Sequence, residues 1–168
     1  KVLPDNRVTV DMGVPQLEPE KIPFQAPEQA FTYPLHLRDT SLEISAVSMG
    51  NPHAVTLVED VSHYDVAGVG AQVECHPAFP RRVNAGFMQV INRREVRVRV
   101  FERGVGETLA CGTGACAAVV AGRLRKLLDR EVSVHLPGGV LAIRWDGENT
   151  PVLMTGPAAT VFHGQVNI

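Results

Sequence analysis

The segment from Thr113 to Leu128 limits what this chain can fold into more than any other. Its first half, Ala115-Cys116-Ala117-Ala118-Val119-Val120-Ala121, is small and apolar all round. A helix that is apolar on every face is buried on every face. Its second half gains Arg123, Arg125 and Lys126, and Asp129 follows. The helix therefore enters the core at its N-terminus and emerges into water at its C-terminus. A curled, mostly antiparallel or mixed β-sheet wrapped around this central buried helix satisfies the pattern, so the fold class is α+β.

The rest of the sequence supplies such a sheet. Alternation predicts strands at Arg7 to Met12, Tyr33 to Asp39, Ser41 to Val47 and Glu95 to Phe101, and the apolar run Ala54 to Val58 adds another. In Glu95 to Phe101, Val96, Val98 and Val100 share one face, and Arg97 and Arg99 lie on the solvated one. Val132 to Leu136 and Val140 to Trp145 flank Pro137-Gly138-Gly139, a hairpin signal. Val152 to Thr155 and Thr160 to Ile168 close the chain as strands. A second, short helix is expected over Val61 to Gln72, with Ser62 as its N-cap. Pro15 to Pro27 carries four prolines and reads as an extended surface crossing.

At 168 residues the chain supports one domain with a real core. No apolar run approaches the roughly 20 residues of a bilayer span, so no membrane partner is expected. A net charge of −2 argues against nucleic acid. Three cysteines, Cys75, Cys111 and Cys116, are an odd number without paired spacing. They fit free thiols in a reducing cytoplasm, with no metal site. The chain begins at Lys1 without an initiator Met and runs almost at once into a strand, as though entered partway through a longer protein.

The chemistry concentrates between Glu102 and Cys116. A strand ends in an acid-base pair, Glu102-Arg103; a glycine-rich loop follows; Cys111 then stands at the mouth of the buried helix. Unpaired first-turn N–H groups at Gly112 and Thr113 suit a carboxylate or phosphate. The same dipole predicts a Cys111 thiol more acidic than a free one. Plain packing is the alternative for Cys111, and packing is the reading for Cys116. Residues 112–117 also fit GxGxxA, but no strand runs directly into them and Glu131 begins the next strand, so a dinucleotide site lacks its context. Ser48 to His53 reads by itself as an Asn-Pro turn with a surface histidine, and Asn84 as a turn former in the loop from Phe79 to Phe87.

At these residues the chain resembles the C-terminal half of the diaminopimelate epimerases, cofactor-independent amino-acid epimerases of lysine biosynthesis. SMGNPH (Ser48 to His53), RVNAGFMQV (Arg82 to Val90), ERGVGET (Glu102 to Thr108) and ACGTGACAA (Ala110 to Ala118) match in order, with LPGG (Leu136 to Gly139) and MTGPA (Met154 to Ala158) beyond them. The resemblance implies a two-domain enzyme whose substrate lies in the cleft between related halves, each supplying one cysteine. Cys111 matches the C-terminal cysteine. Asn51, Asn84, Glu102, Arg103, Gly112 and Thr113 match substrate-binding positions, and His53 and Glu102 match residues thought to assist the thiols. The half with the partner cysteine is absent from these residues. Residues 1–11 are then a strand remnant of that domain, 12–156 the C-terminal epimerase domain, and 157–168 a terminal strand returning to the missing domain. The missing domain is the implied partner, and a homodimer is a family hint.

The implied reaction interconverts LL- and meso-diaminopimelate by two-base proton transfer at the α-carbon, in the cytoplasm and without a cofactor. One thiolate takes the proton and one thiol returns another to the opposite face. A Schiff-base route needs a lysine, and none of Lys1, Lys21 and Lys126 sits in a cleft-like motif. A chain with one such cysteine is expected to be inactive alone. Two other functions compete: a sister isomerase of the same fold, proline-racemase-like or phenazine-pathway-like, and a non-catalytic amino-acid-binding fragment.

Overall fold

A computed structural model describes residues 1–166. Ten strands form one mixed sheet: β1 (Arg7–Asp11), β2 (Tyr33–His36), β3 (Ser41–Ser48), β4 (Pro52–Leu57), β5 (Asn84–Asn92), β6 (Glu95–Glu102), β7 (Gly106–Thr108), β8 (Glu131–Leu136), β9 (Gly139–Trp145) and β10 (Val152–Pro157). Their order is β1-β10-β9-β8-β6-β5-β4-β3-β2, with β7 paired to β6 off that path. The pairs β4–β5 and β6–β8 are parallel and the others antiparallel. The helices are α1 (Val66–Glu74) and α2 (Gly112–Leu124).

The central helix is buried as its sequence requires. Every residue from Gly114 to Gly122 is buried, and α2 touches strands from β3 round to β10. Alternation then divides the sheet between two cores. Val47, Val55 and Met88 join the core around α2, whereas their neighbours Ala46, Ala54 and Phe87 join a second core with Val66 and Val73 of α1. The hairpin at Gly138-Gly139 forms between β8 and β9 as expected.

Several elements differ from the sequence reading, each for a local reason. The central helix stops at Leu124, not Leu128. Lys126 turns left-handed at φ +60°, and Leu128 folds back into the core against Gly122. The short helix is Val66–Glu74, not Val61 to Gln72, because Asp65 takes the cap and accepts the Gly68 N–H at 2.9 Å. The Ser62 N–H is instead captured by Asp60 at 2.9 Å. The proline-rich segment is not a bare surface crossing. It forms a single 3-10 turn (Pro19–Lys21), after which Ile22 and Phe24 are buried and Phe24 stacks on Phe79 with centroids 4.6 Å apart. Arg99 is only partly solvated: it grips Glu107 at 2.6 and 2.9 Å and donates to the carbonyls of Val61 and Tyr64. Residues 160–166 form no strand, and 167–168 of that expected strand lie outside the described residues. The strand expected at Arg7 to Met12 forms as β1 and pairs antiparallel with β10 from Arg7↔Pro157 to Asp11↔Leu153. No helix among the described residues is long and apolar enough to cross a membrane.

Candidate active site

Sheet topology gathers the marked residues at one end. Parallel pairing of β4 and β5 sets His53 opposite Asn84, so both strands begin at the same end of the sheet. β6 runs antiparallel to β5 and therefore finishes there, at Glu102. The turn to β7 follows, and the chain then enters α2 at Cys111. Motifs as far apart as Asn51 and Thr113, 62 residues along the chain, thus meet without any long loop.

Cys111 is the N-cap residue of α2, in extended conformation, and its side chain makes no capping hydrogen bond. Its sulfur lies 3.6 Å from Thr113 Oγ1. The cysteine is 6% exposed. Gly114 makes this position possible: a Cβ there would sit 3.2 Å from Cys111 Sγ and 2.9 Å from Val100 Cγ2.

The hydrogen bonds define directions. His53 Nε2 lies 3.1 Å from Asn51 Oδ1, so it donates. Asn51 Nδ2 donates to Thr113 Oγ1 at 3.3 Å, which leaves the Thr113 O–H free to point at the Cys111 sulfur. His53 is fully buried, and its Nδ1 has no partner among the described residues. Asn84 bridges two motifs: its Nδ2 donates to Pro52 O at 3.1 Å, and its Oδ1 accepts the Arg103 N–H at 2.8 Å. Thr108 donates to Glu102 Oε1 at 2.5 Å, fixing that carboxylate.

Electrostatics reverse one expectation. The Cys111 pKa is raised, not lowered. Burial is the largest cause, and the Glu102 carboxylate adds to it; the Thr113 hydroxyl and the Gly114 amide offset only part. The expected result is an alkylation midpoint for Cys111 above that of an ordinary thiol, moving down in Glu102→Gln. A midpoint below the ordinary value, or one indifferent to Glu102→Gln, would contradict this balance.

His53 is pushed down from 6.5 to about 3, first by burial and then by the Arg103 charge. A histidine with a depressed folded pKa binds its proton more readily in the unfolded chain. Its neutral form therefore favours the fold fully above pH 6.5, and that stability is lost as pH falls toward 3. Between pH 7 and 4.5 the loss should be about 2–3 kcal/mol. Urea unfolding of wild type and His53→Gln at both pH values tests this: the difference between them should shrink by that amount on acidification.

All the residues marked in the sequence lie at this end: His53, Asn51, Thr113, Gly112 and Cys111 in one group, Asn84 and Arg103 in another, with Glu102 acting on Cys111. Cys116, with its pKa pushed up to about 12 by burial, is a packing residue. Lys21 and Arg81 were not legible. They line, with Arg103 and Ser48, a cavity of about 280 Å³. The Arg103 guanidinium is held there by the Arg81 carbonyl at 3.0 Å. Lys21 reaches this cavity from a proline-rich segment that carries no local signal of it.

The fold is that of known isomerases. A hydroxyproline epimerase from Agrobacterium vitis superposes with a TM-score of 0.65 at 14% identity, covering 90% of this chain and 49% of that one. A methylitaconate-delta-isomerase superposes with a TM-score of 0.64 at 15% identity, covering 98% and 56%. Sequence narrows the class. The diaminopimelate epimerase family profile matches residues 45–161. A diaminopimelate epimerase from Teredinibacter turnerae is 64% identical over 167 residues, and one from Nitrosomonas eutropha 59% identical over 164. This chain belongs to the diaminopimelate epimerase family. It spans 60% and 59% of the lengths of those two relatives.

Proposed function

We propose that this chain supplies one side of the active site of a cofactor-independent epimerase acting on diaminopimelate. The observation that carries the reading is Cys111, set at the mouth of a buried helix with Glu102 acting on it and Thr113 donating to it. The α-proton leaves with the electron pair remaining on the α-carbon and spreading into the substrate carboxylate. The N–H groups at the start of α2 are placed to stabilise that developing charge. A cysteine thiolate on one face accepts the proton, and a cysteine thiol on the other face returns one, so the centre inverts and protons balance.

Cys111 is one of the two. The other lies in the portion of the protein beyond this chain, since Cys116 is sealed in the core and Cys75 is bonded to Glu74 at 3.0 Å. A raised Cys111 pKa suits a group that rests as the thiol and acts as acid, becoming base once its proton is given. Lys21, Arg81 and Arg103 around one cavity suit the carboxylate at the substrate's far end. In this reading the protein works in the cytoplasm as an isomerase of lysine biosynthesis.

Substrate competition tests the reading. The full-length protein should epimerise LL-diaminopimelate and leave proline and hydroxyproline unchanged, and the isolated 168-residue chain should turn over none of them. Turnover of a single-headed amino acid in preference would favour a sister isomerase, and turnover by the isolated chain would refute the two-thiol mechanism.

A further inference from the structure

Behind the site lies a carboxylate that the mechanism above does not use. Glu74 is the last residue of α1 and 6% exposed. An acid in the last turn of a helix has the wrong sign for the helix dipole, so a specific partner is expected. Its Oε1 accepts the Gly104 N–H at 2.8 Å and the Arg82 Nη1 at 3.3 Å. Its Oε2 accepts the Cys75 thiol at 3.0 Å, and its own carbonyl accepts the Val83 N–H at 3.2 Å. One residue thereby ties down the two segments that present Asn84 and Arg103. Arg82 holds a left-handed φ of +58°, a conformation side-chain-bearing residues rarely adopt, on the segment that leads through Val83 to Asn84.

We propose that Glu74 is a positioning residue that clamps the Arg103–Gly104 turn to the Arg82–Asn84 segment and so sets how tightly the substrate's far charged end is held. The proposal rests on the function proposed above. Glu102 has its own supports, the Thr108 hydroxyl and pairing of β6 with β7 opposite Gly106. Among the described residues, Arg103 has only the Asn84 bond to its N–H and the Arg81 bond to its guanidinium besides this clamp. Loss of Glu74 should therefore fall on substrate binding and spare the proton transfer.

The test compares Glu74→Ala, Glu74→Asp and Glu74→Gln in the full-length protein with diaminopimelate. Glu74→Asp keeps charge and burial but withdraws the oxygens by about 1.5 Å, beyond the Gly104 N–H. Glu74→Gln keeps shape and an acceptor. For Ala and Asp, KM should rise about tenfold with kcat held within about threefold, and Gln should restore most of the loss. Unchanged KM in folded Glu74→Asp, or kcat falling as far as kcat/KM, would overturn the proposal. Should Glu74→Ala not fold, Glu74→Asp decides. Should the wild type not act on diaminopimelate, the functional reading fails separately. The clamp is then read from amide hydrogen exchange. Faster exchange at Gly104 in Glu74→Asp, with the start of α2 unchanged, supports it, and equal exchange at Gly104 overturns it.

Discussion

Cys111→Ser in the full-length protein should lower diaminopimelate epimerisation by about 10²–10⁴-fold, the usual worth of a positioned acid-base group. The fold should survive. Serine is the smaller isostere, the side chain lies beside Thr113, and the backbone carbonyl of residue 111 that accepts the Ala115 N–H at 2.9 Å is retained. A hydroxyl, however, is far too weak an acid to give or take an α-proton in place of a thiol. Cys116→Ala is the matched control: it lies a little over a turn further along the same helix, wholly buried, and should lose stability while retaining turnover. Steady-state rates followed by circular dichroism would separate the two. Activity within tenfold of wild type in Cys111→Ser would show that Cys111 is not a reacting group.

The largest effect on stability is expected at Gly70, in the middle of α1. A Cβ there would meet Phe101 Cβ at 2.6 Å and Cγ at 2.7 Å. The Phe101 Cβ is fixed by the backbone, so no side-chain rotation can clear it. The helix or β6 must move instead. Overpacking of this kind costs about 1–3 kcal/mol, and for a domain of this size Gly70→Ala should lower Tm by roughly 3–10 °C. The damage should also reach the site, since Phe101 immediately precedes Glu102 and α1 ends at Glu74. A Tm equal to wild type would mean that α1 does not seat against β6 as described.

How much of this was legible depended on whether the cause was local. The apolar sequence from Ala115 to Ala121 required a buried helix, and the helix is buried. Alternation in Glu95 to Phe101 and the glycines after Pro137 placed β6 and the β8–β9 hairpin. Boundaries failed where local events overrode periodicity: Asp65 took the cap from Ser62, and a left-handed backbone turn at Lys126 ended α2 early. The Pro15 to Pro27 segment hid its burial because prolines suppress regular structure without preventing Ile22 and Phe24 from covering a core. The site residues were legible as motifs, and parallel β4–β5 pairing explains why distant motifs meet. The acidity of Cys111 runs opposite to its sequence signal, because a helix start is visible in sequence whereas burial of the thiol beside the Glu102 carboxylate is not. Glu74 was silent because the Gly104 N–H it holds lies far along the chain, and Lys21 because the cavity it lines is completed by Ser48, Arg81 and Arg103 from other segments.

The most direct test of the two-thiol mechanism is exchange of the substrate α-proton in D2O, followed by NMR, with full-length protein, diaminopimelate and a Cys111→Ala control. Deuterium should enter at the α-carbon together with inversion, and both should vanish in the variant. A folded wild type that neither exchanges nor inverts diaminopimelate, or a Cys111→Ala protein that still inverts it, would contradict the proposed role of Cys111.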